Sequence, residues 1–108
     1  MKTEKILLTT TIIALVALAR FRCVSFLGGI PTAGAPVLGV ATTNADAGEP
    51  AGVNTHGDIL VEAAAAIAVG AEVESDATGR VVTKTTGAAF GRARDAAAAA
   101  GDIIRVLK

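Results

Sequence analysis

Residues 71–83 read AEVESDATGRVVT, and this stretch predicts a β-hairpin. Glu72, Glu74 and Asp76 alternate with small or apolar residues, a period of two that places the three carboxylates on one face of a strand. Asp76 can begin a type I turn, and Gly79 can adopt the left-handed conformation that ends such a turn. The chain reverses here and pairs with itself, which indicates antiparallel β structure.

Short runs of the same character lie on both sides of this hairpin, separated mostly by Gly, Asp, Asn or Pro. Together with the hairpin, the candidate strands are 37–42, 52–55, 58–62, 71–75, 80–84, 88–93 and 102–107. Short strands with regular turn signals predict a mainly β fold, a small antiparallel β-barrel or sandwich. The alanine runs 63–66 and 96–100 are too short for independent helices, so we expect at most one or two short helical turns.

Two of these stretches repeat the same order of features. Residues 38–53 and 90–106 each run from a strand through a small-residue loop and a Gly-acid turn to a second strand. Their spacing differs by one residue, and an array would need at least three copies. We interpret the similarity of the two stretches as a shared supersecondary pattern.

The N-terminal segment MKTEKILLTTTIIALVALAR has three interpretations. It meets the formal requirements of a signal peptide, which would make the protein an exported β-rich adhesive or periplasmic domain. Its 14-residue apolar run, 6–19, is too short for a membrane-spanning helix. The β-branched residues and the interrupting Glu4 favour a strand. We therefore expect an N-terminal strand-like arm, 1–19, and a single compact β domain, 20–108.

Composition points towards association with other chains. Three Phe and no Trp or Tyr leave a thin aliphatic core in a chain that is 52% hydrophobic, so we expect an oligomer. Net charge is zero but uneven, with +3 over 1–22, −7 over 45–76 and +4 from 77 onwards. This layout is too diffuse for specific nucleic-acid binding and could set the register between copies.

No catalytic or cofactor-binding pattern is present. His56, the only histidine, lies two residues from Asp58 and could form an acid/base pair, but a polar loop tip between two strands is the better interpretation. Cys23 is the only cysteine and fits a buried small hydrophobe. Residues 29–34 lack the Lys of a phosphate loop. We expect no enzyme activity, cofactor, metal site or membrane association.

The arm is the best candidate for a partner interface, because an apolar terminal strand left unpaired is an aggregation hazard. The predicted interface residues are Ile6, Leu7, Leu8, Thr9, Thr10, Thr11, Ile12, Ile13, Arg20 and Arg22. Arg20 and Arg22 flank Phe21, and in a strand they would share the face opposite to its ring. Under this interpretation, deletion of residues 1–13 leaves a soluble fold that has lost its partner.

The sequence resembles the capsid cement, or head decoration, proteins of tailed bacteriophages. The similar segments are the start 1–4 with the threonine-rich strand that follows it, 37–41, 46–49, 57–63, 70–80 and 101–107. Their order and spacing carry the resemblance over nearly the whole chain, and none of them is a catalytic signature.

The resemblance implies a structural virion protein on the outer capsid surface, assembled in the cytoplasm of the bacterial host. Such a protein would stabilise contacts between major capsid protein subunits and would itself associate, typically as a homotrimer. Many symmetric copies would turn modest contacts into strong attachment.

Overall fold

The computed structural model describes residues 4–108, so the first three residues of the predicted arm lie outside the described residues. The described chain contains strands and no helix, which confirms the mainly β prediction. The eight strands are β1 (Lys5–Ile13), β2 (Cys23–Val24), β3 (Gly39–Ala41), β4 (Pro50–Glu62), β5 (Glu72–Ser75), β6 (Val81–Thr83), β7 (Gly91–Ala93) and β8 (Ile103–Leu107).

The predicted hairpin is the pair β5–β6, in which Ser75 lies opposite Val81. Asp76 Oδ1 accepts hydrogen bonds from the N–H groups of Thr78 (2.9 Å) and Arg80 (3.0 Å). Gly79 has a φ of +86°, the left-handed conformation expected of it. The local sequence therefore specifies this turn through its Asp and Gly positions.

The strands form a nearly closed, barrel-like antiparallel sheet. The order is β2-β3-β4-β8-β7-β5-β6, and β1 pairs with β4 outside this path. A parallel bridge between Ala63 and Val81 connects the end of β4 to β6, the last strand of the path. This bridge closes the strands β4, β8, β7, β5 and β6 into a ring, so a small domain can enclose its core.

β4 is the central strand, and it differs from the prediction. The predicted runs 52–55 and 58–62 form one 13-residue strand, so His56 lies within a strand and the loop-tip interpretation is wrong. Gly57, at φ +117°, lets the strand continue through an irregular step in its pairing with β1. The sequence pattern suggested a turn because His-Gly-Asp is polar and contains glycine.

β1 realises the strand predicted for the arm and pairs with β4 of the same chain. The ladder runs from Lys5 opposite Asp58 to Ile13 opposite Pro50. β3 and β8 pair with the first and second halves of β4, at residues that also pair with β1. Because a strand has two edges, β3 and β8 share the edge of β4 opposite to β1.

Two adjoining cores hold the sheet together. The larger consists of Cys23, Val37, Val40, Ile59, Val61, Ala63, Ile67, Val73, Val81, Phe90, Ala93, Ala97, Ile104 and Val106. The smaller consists of Ala14, Leu18, Val24, Ala41, Ala45, Ala51 and Val53. Ile6 of β1 packs against the larger core and Ile12 against the smaller one. Phe90 is the one aromatic member among the described core residues, as the thin composition predicts.

The alanine runs form irregular segments with bends, turns and isolated bridges. Ile67 and Ala97 exchange backbone hydrogen bonds of 3.0 and 2.9 Å across an isolated bridge. Small side chains allow these segments to lie close together, and tertiary pairing overrides the helix propensity of alanine.

Candidate functional site

The exposed large apolar side chains are concentrated near the start of the chain. They are Leu7, Leu8, Ile13, Leu15, Val16, Phe26, Leu27, Ile30, Val69 and Leu107. All but Val69 and Leu107 lie between residues 7 and 30, where β1 meets the loop that follows β2. An exposed apolar concentration of this kind marks an interaction surface.

The turn at residues 25–28 presents two of these side chains at its tip. Ser25 N–H donates to the Gly29 carbonyl (2.8 Å), while Gly29 N–H donates to Ser25 Oγ (3.1 Å). Gly28 takes a φ of +91°, which closes the turn. Phe26 and Leu27 then stand 64% and 83% exposed, so their rings and methyl groups remain in solvent.

Shallow grooves lie on both sides of Phe26. One, of about 340 Å³, is lined by Phe26, Leu27, Ile30 and neighbouring prolines. The other, of about 410 Å³, is lined by Leu8, Phe26, Leu38 and His56 among others. Lys108 also borders this groove, but its ammonium donates to the carbonyls of Val37 and Leu38. Phe26 is common to both grooves, so the surface is continuous across it.

Leu15 joins the end of β1 to the same surface. Its N–H donates to the Gly28 carbonyl (3.0 Å), and its side chain lies beside Gly29. We define the apolar face as Leu8, Leu15, Phe26, Leu27 and Ile30. It combines a strand residue with two loops that hydrogen bonds hold in place.

The predicted interface residues of β1 divide into two sets. Ile6, Thr10 and Ile12 are half-buried, whereas Leu7, Leu8, Thr9, Thr11 and Ile13 are exposed. Thr9 Oγ1 donates to Asn54 Oδ1 (2.8 Å), which adds a side-chain bond to the β1–β4 ladder. Among residues 4–108, β1 pairs with β4 alone, so it is an edge strand.

Arg20 and Arg22 do not lie on a strand. Residues 20–22 form a turn in which Phe21 adopts a φ of +66°, so the expected placement of both arginines opposite the ring is wrong. The Arg20 guanidinium lies over the Phe21 ring, 4.5 Å from its centroid, and remains exposed. Arg22 instead pairs with Glu62 (3.4 Å) and donates to the Thr78 carbonyl (3.1 Å).

Part of the uneven charge of the sequence is balanced by ion pairs within the fold. Arg94 pairs with Asp58 at 2.6 Å and Arg92 with Glu72 at 3.6 Å. Arg80 contacts Glu62 at 3.4 Å, beside the Arg22 pair. Several carboxylates of the acidic middle segment thus contact arginines of the same chain.

The possible acid/base pair is not assembled as such. His56 is exposed, and its Nδ1 lies 3.1 Å from Thr55 Oγ1. Asp58 Oδ2 accepts from Arg94 Nη1. Among residues 4–108 no group of three or more His, Cys, Asp or Glu side chains could hold a metal ion. The described residues also include no helix that is long and apolar enough to cross a membrane.

Phe26, Leu27 and Ile30 are not among the interface residues predicted from the sequence. The stretch 27–36 is rich in glycine and proline, a composition that indicates only a loop. One feature of the sequence could have identified these residues: they are large apolar residues in or next to a segment that cannot form part of a sheet. Apolar side chains in a turn remain exposed unless another surface covers them.

Comparison with known proteins identifies the class. The phage cement protein family matches residues 1–107 of this chain. No curated protein matches it. The resemblance inferred from ordered sequence segments is confirmed, and the family is one of structural phage proteins. The chain belongs to the phage cement protein family, whose members decorate the capsid of the virion.

Proposed function

We propose that this protein binds the major capsid protein through its apolar face and stabilises contacts between neighbouring capsid subunits. The observation that carries the proposal is the exposure of Phe26 and Leu27 at the tip of a hydrogen-bonded turn. A capsid-decorating protein acts by burying surface, and this face includes Phe26, the largest of the exposed apolar side chains among the described residues. Membership of the cement family supplies the class of partner.

The energetics suit attachment in many copies. Complete burial of a side chain such as Phe or Leu contributes about 1.5–3 kcal/mol. A few such side chains give modest affinity once the cost of association is subtracted. Symmetric copies on a lattice then reinforce one another.

β1 supplies a second element of the proposed interface. An edge strand can accept an extended segment of another chain through backbone hydrogen bonds. The exposed members of Ile6–Ile13 flank that edge, and the Arg20 guanidinium is an accessible cation nearby in sequence. The proposal assigns further partner contacts to the segment 1–19, although β1 also pairs with β4 of its own chain.

Self-association as a homotrimer, with assembly in the host cytoplasm, belongs to the same proposal. The thin aliphatic core and the exposed apolar face support association beyond a monomer. Sedimentation velocity at several concentrations tests it, and a monomer at every concentration would exclude the trimer.

The decisive experiment measures binding to phage heads that lack decoration. Leu27→Ser removes an 83% exposed side chain from the apolar face, and we expect at least about tenfold weaker binding. Val69→Ser is the matched control, because Val69 is 65% exposed and lies outside the face. Equal occupancy by both variants would contradict the proposal.

A further inference from the structure

The two halves of the chain make corresponding strand pairs. β2 pairs with β3 as β5 pairs with β7, and β3 pairs with β4 as β7 pairs with β8. The pairing of β1 with the first half of β4 corresponds to the pairing of the second half of β4 with β8. In this comparison, β1 matches the second half of β4, and the first half of β4 matches β8. β4 therefore serves both halves, ending the first and beginning the second.

Hydrogen bonds outside the strands follow the same correspondence. The matched N–H···O bonds are Ala14–Glu49 (2.9 Å) with Ala63–Asp102 (2.8 Å), Leu18–Ala45 (2.8 Å) with Ile67–Ala97 (3.0 Å), Leu38–Val24 (2.9 Å) with Phe90–Val73 (2.7 Å), and Phe21–Ala41 (3.4 Å) with Gly70–Ala93 (2.7 Å). Agreement over four separate bonds requires the same path of the chain in both halves.

Backbone conformations agree as well. Gly48 and Gly101, which precede corresponding strands, have φ of +86° and +94°. Phe21, the one non-glycine residue at positive φ among those described, corresponds to Gly70 at +83°. An aromatic residue thus occupies a conformation that favours glycine, at the position where the other half has glycine.

The turn that carries the apolar face has its own counterpart. Gly29 N–H donates to Ser25 Oγ at 3.1 Å, and Arg80 N–H donates to Asp76 Oδ1 at 3.0 Å. Gly28 and Gly79 close the two turns at φ +91° and +86°. The exposed tip is Phe26-Leu27 in the first turn and Ala77-Thr78 in the second.

We infer that residues 5–53 and 54–107 are two copies of one β unit, and that the capsid-binding tip belongs to the first copy alone. Ala77 and Thr78 build the same turn, so the turn itself does not require Phe26 or Leu27. Their large exposed side chains therefore serve an interaction outside the chain. The part of this inference that concerns binding rests on the proposed function, whereas the correspondence of the two copies does not.

Reciprocal exchange of the tips in the full-length protein tests the inference. The first variant carries Phe26→Ala and Leu27→Thr, and the second carries Ala77→Phe and Thr78→Leu. All four positions are exposed, so neither exchange has to enter the core. Thermal unfolding reports the correspondence of the turns, and binding to undecorated phage heads reports the function of the tip.

We expect the first variant to melt within about 3 °C of the unchanged protein, since substitutions at exposed sites rarely exceed about 0.5 kcal/mol. We expect a fall of up to about 8 °C in the second variant, because Thr78→Leu removes the hydrogen bond from the Thr78 hydroxyl to Asp76 Oδ1 (2.8 Å), which contributes about 1 kcal/mol. We expect the first variant to bind heads at least about tenfold more weakly. A fall of more than about 8 °C in either variant would overturn the correspondence of the two turns. Full binding by a stable first variant would overturn the role of the tip and leave that correspondence intact.

Discussion

Glu74 is a carboxylate that the fold buries, although its alternation with Glu72 and Asp76 gives no sign of this. It is only 6% exposed. Its Oε1 accepts from the N–H (2.6 Å) and the hydroxyl (3.0 Å) of Thr85, in the loop after β6. The backbone hydrogen bond from Thr85 is the main reason that the pKa of Glu74 lies below its ordinary value of 4.5.

This lowered pKa predicts a pH-dependent stability. At a pH above its ordinary pKa, the ionised Glu74 carboxylate stabilises the folded state. On acidification, Glu74 takes up a proton in the unfolded chain before it does so in the folded protein. Its contribution to the free energy of unfolding therefore falls as the pH decreases, and it is lost once the pH has passed through the lowered pKa of the folded state. Glu74→Gln should lower the free energy of unfolding at pH 7. The difference in free energy of unfolding between this variant and the wild-type protein should become smaller in acid. Urea unfolding between about pH 7 and pH 3 measures the gap. Glu72→Gln, at an exposed neighbour, is the control, and a gap independent of pH would refute the assignment.

Cys23 is another residue whose ionisation the fold controls. Burial raises the pKa of its thiol to about 12. The thiolate, which is the reactive form, is therefore scarce at neutral pH, and the sulfur has no access to solvent. We expect an aromatic disulfide reagent to label Cys23 at pH 8 only as fast as the protein opens, and immediately in urea. Rapid labelling of the native protein would contradict this placement.

At the scale of elements, β4 determines the arrangement of the sheet. It pairs with three other strands and contributes to both cores. Its irregular point is Gly57, where a Cβ would approach the carbonyl of Lys5 and the N–H of Leu7 in β1. The chain needs glycine there for two reasons, a positive φ and the close approach of β1.

Gly57→Ala should therefore destabilise the protein by more than about 1 kcal/mol, because both backbone strain and a clash with β1 arise. Gly48→Ala is the matched control, since Gly48 also has a positive φ but a Cβ there would meet no atom within 4 Å. Denaturant unfolding of the two variants separates the clash from the strain. Equal losses in the free energy of unfolding for the two variants would mean that β1 does not restrict the residue at position 57.

At the scale of the whole molecule, the N-terminal strand is part of the folded unit. Ile6 and Ile12 attach β1 to the larger and the smaller core respectively, and the ladder with β4 runs along the full strand. The earlier expectation that removal of residues 1–13 leaves an intact fold does not follow from this arrangement. Loss of β1 would expose β4 and weaken both cores.

We therefore expect the chain lacking residues 1–13 to melt at least about 10 °C lower than the full-length protein. Loss of two aliphatic contacts would lower the free energy of unfolding by several kcal/mol, and each kcal/mol corresponds to a fall of about 4–8 °C in the melting temperature. Circular dichroism during heating measures the shift. Leu7→Ser, which changes an exposed residue of the same strand, should leave the melting temperature nearly unchanged. An unshifted deletion variant would show that β1 is dispensable for folding.

The sequence by itself determined the β class, the 71–83 hairpin, the strand character of the N-terminal segment and the burial of Cys23. These features depend on local periodicity, on Asp and Gly at turn positions and on apolar composition, and none of these requires knowledge of which distant segments meet in the fold. Only the tertiary structure decided that two predicted strands merge into β4, that Glu74 is buried, that the acidic segment pairs with arginines of its own chain and that Phe26 and Leu27 remain exposed. Each of these depends on segments distant in the sequence, because burial and charge pairing are set by which surfaces meet after folding.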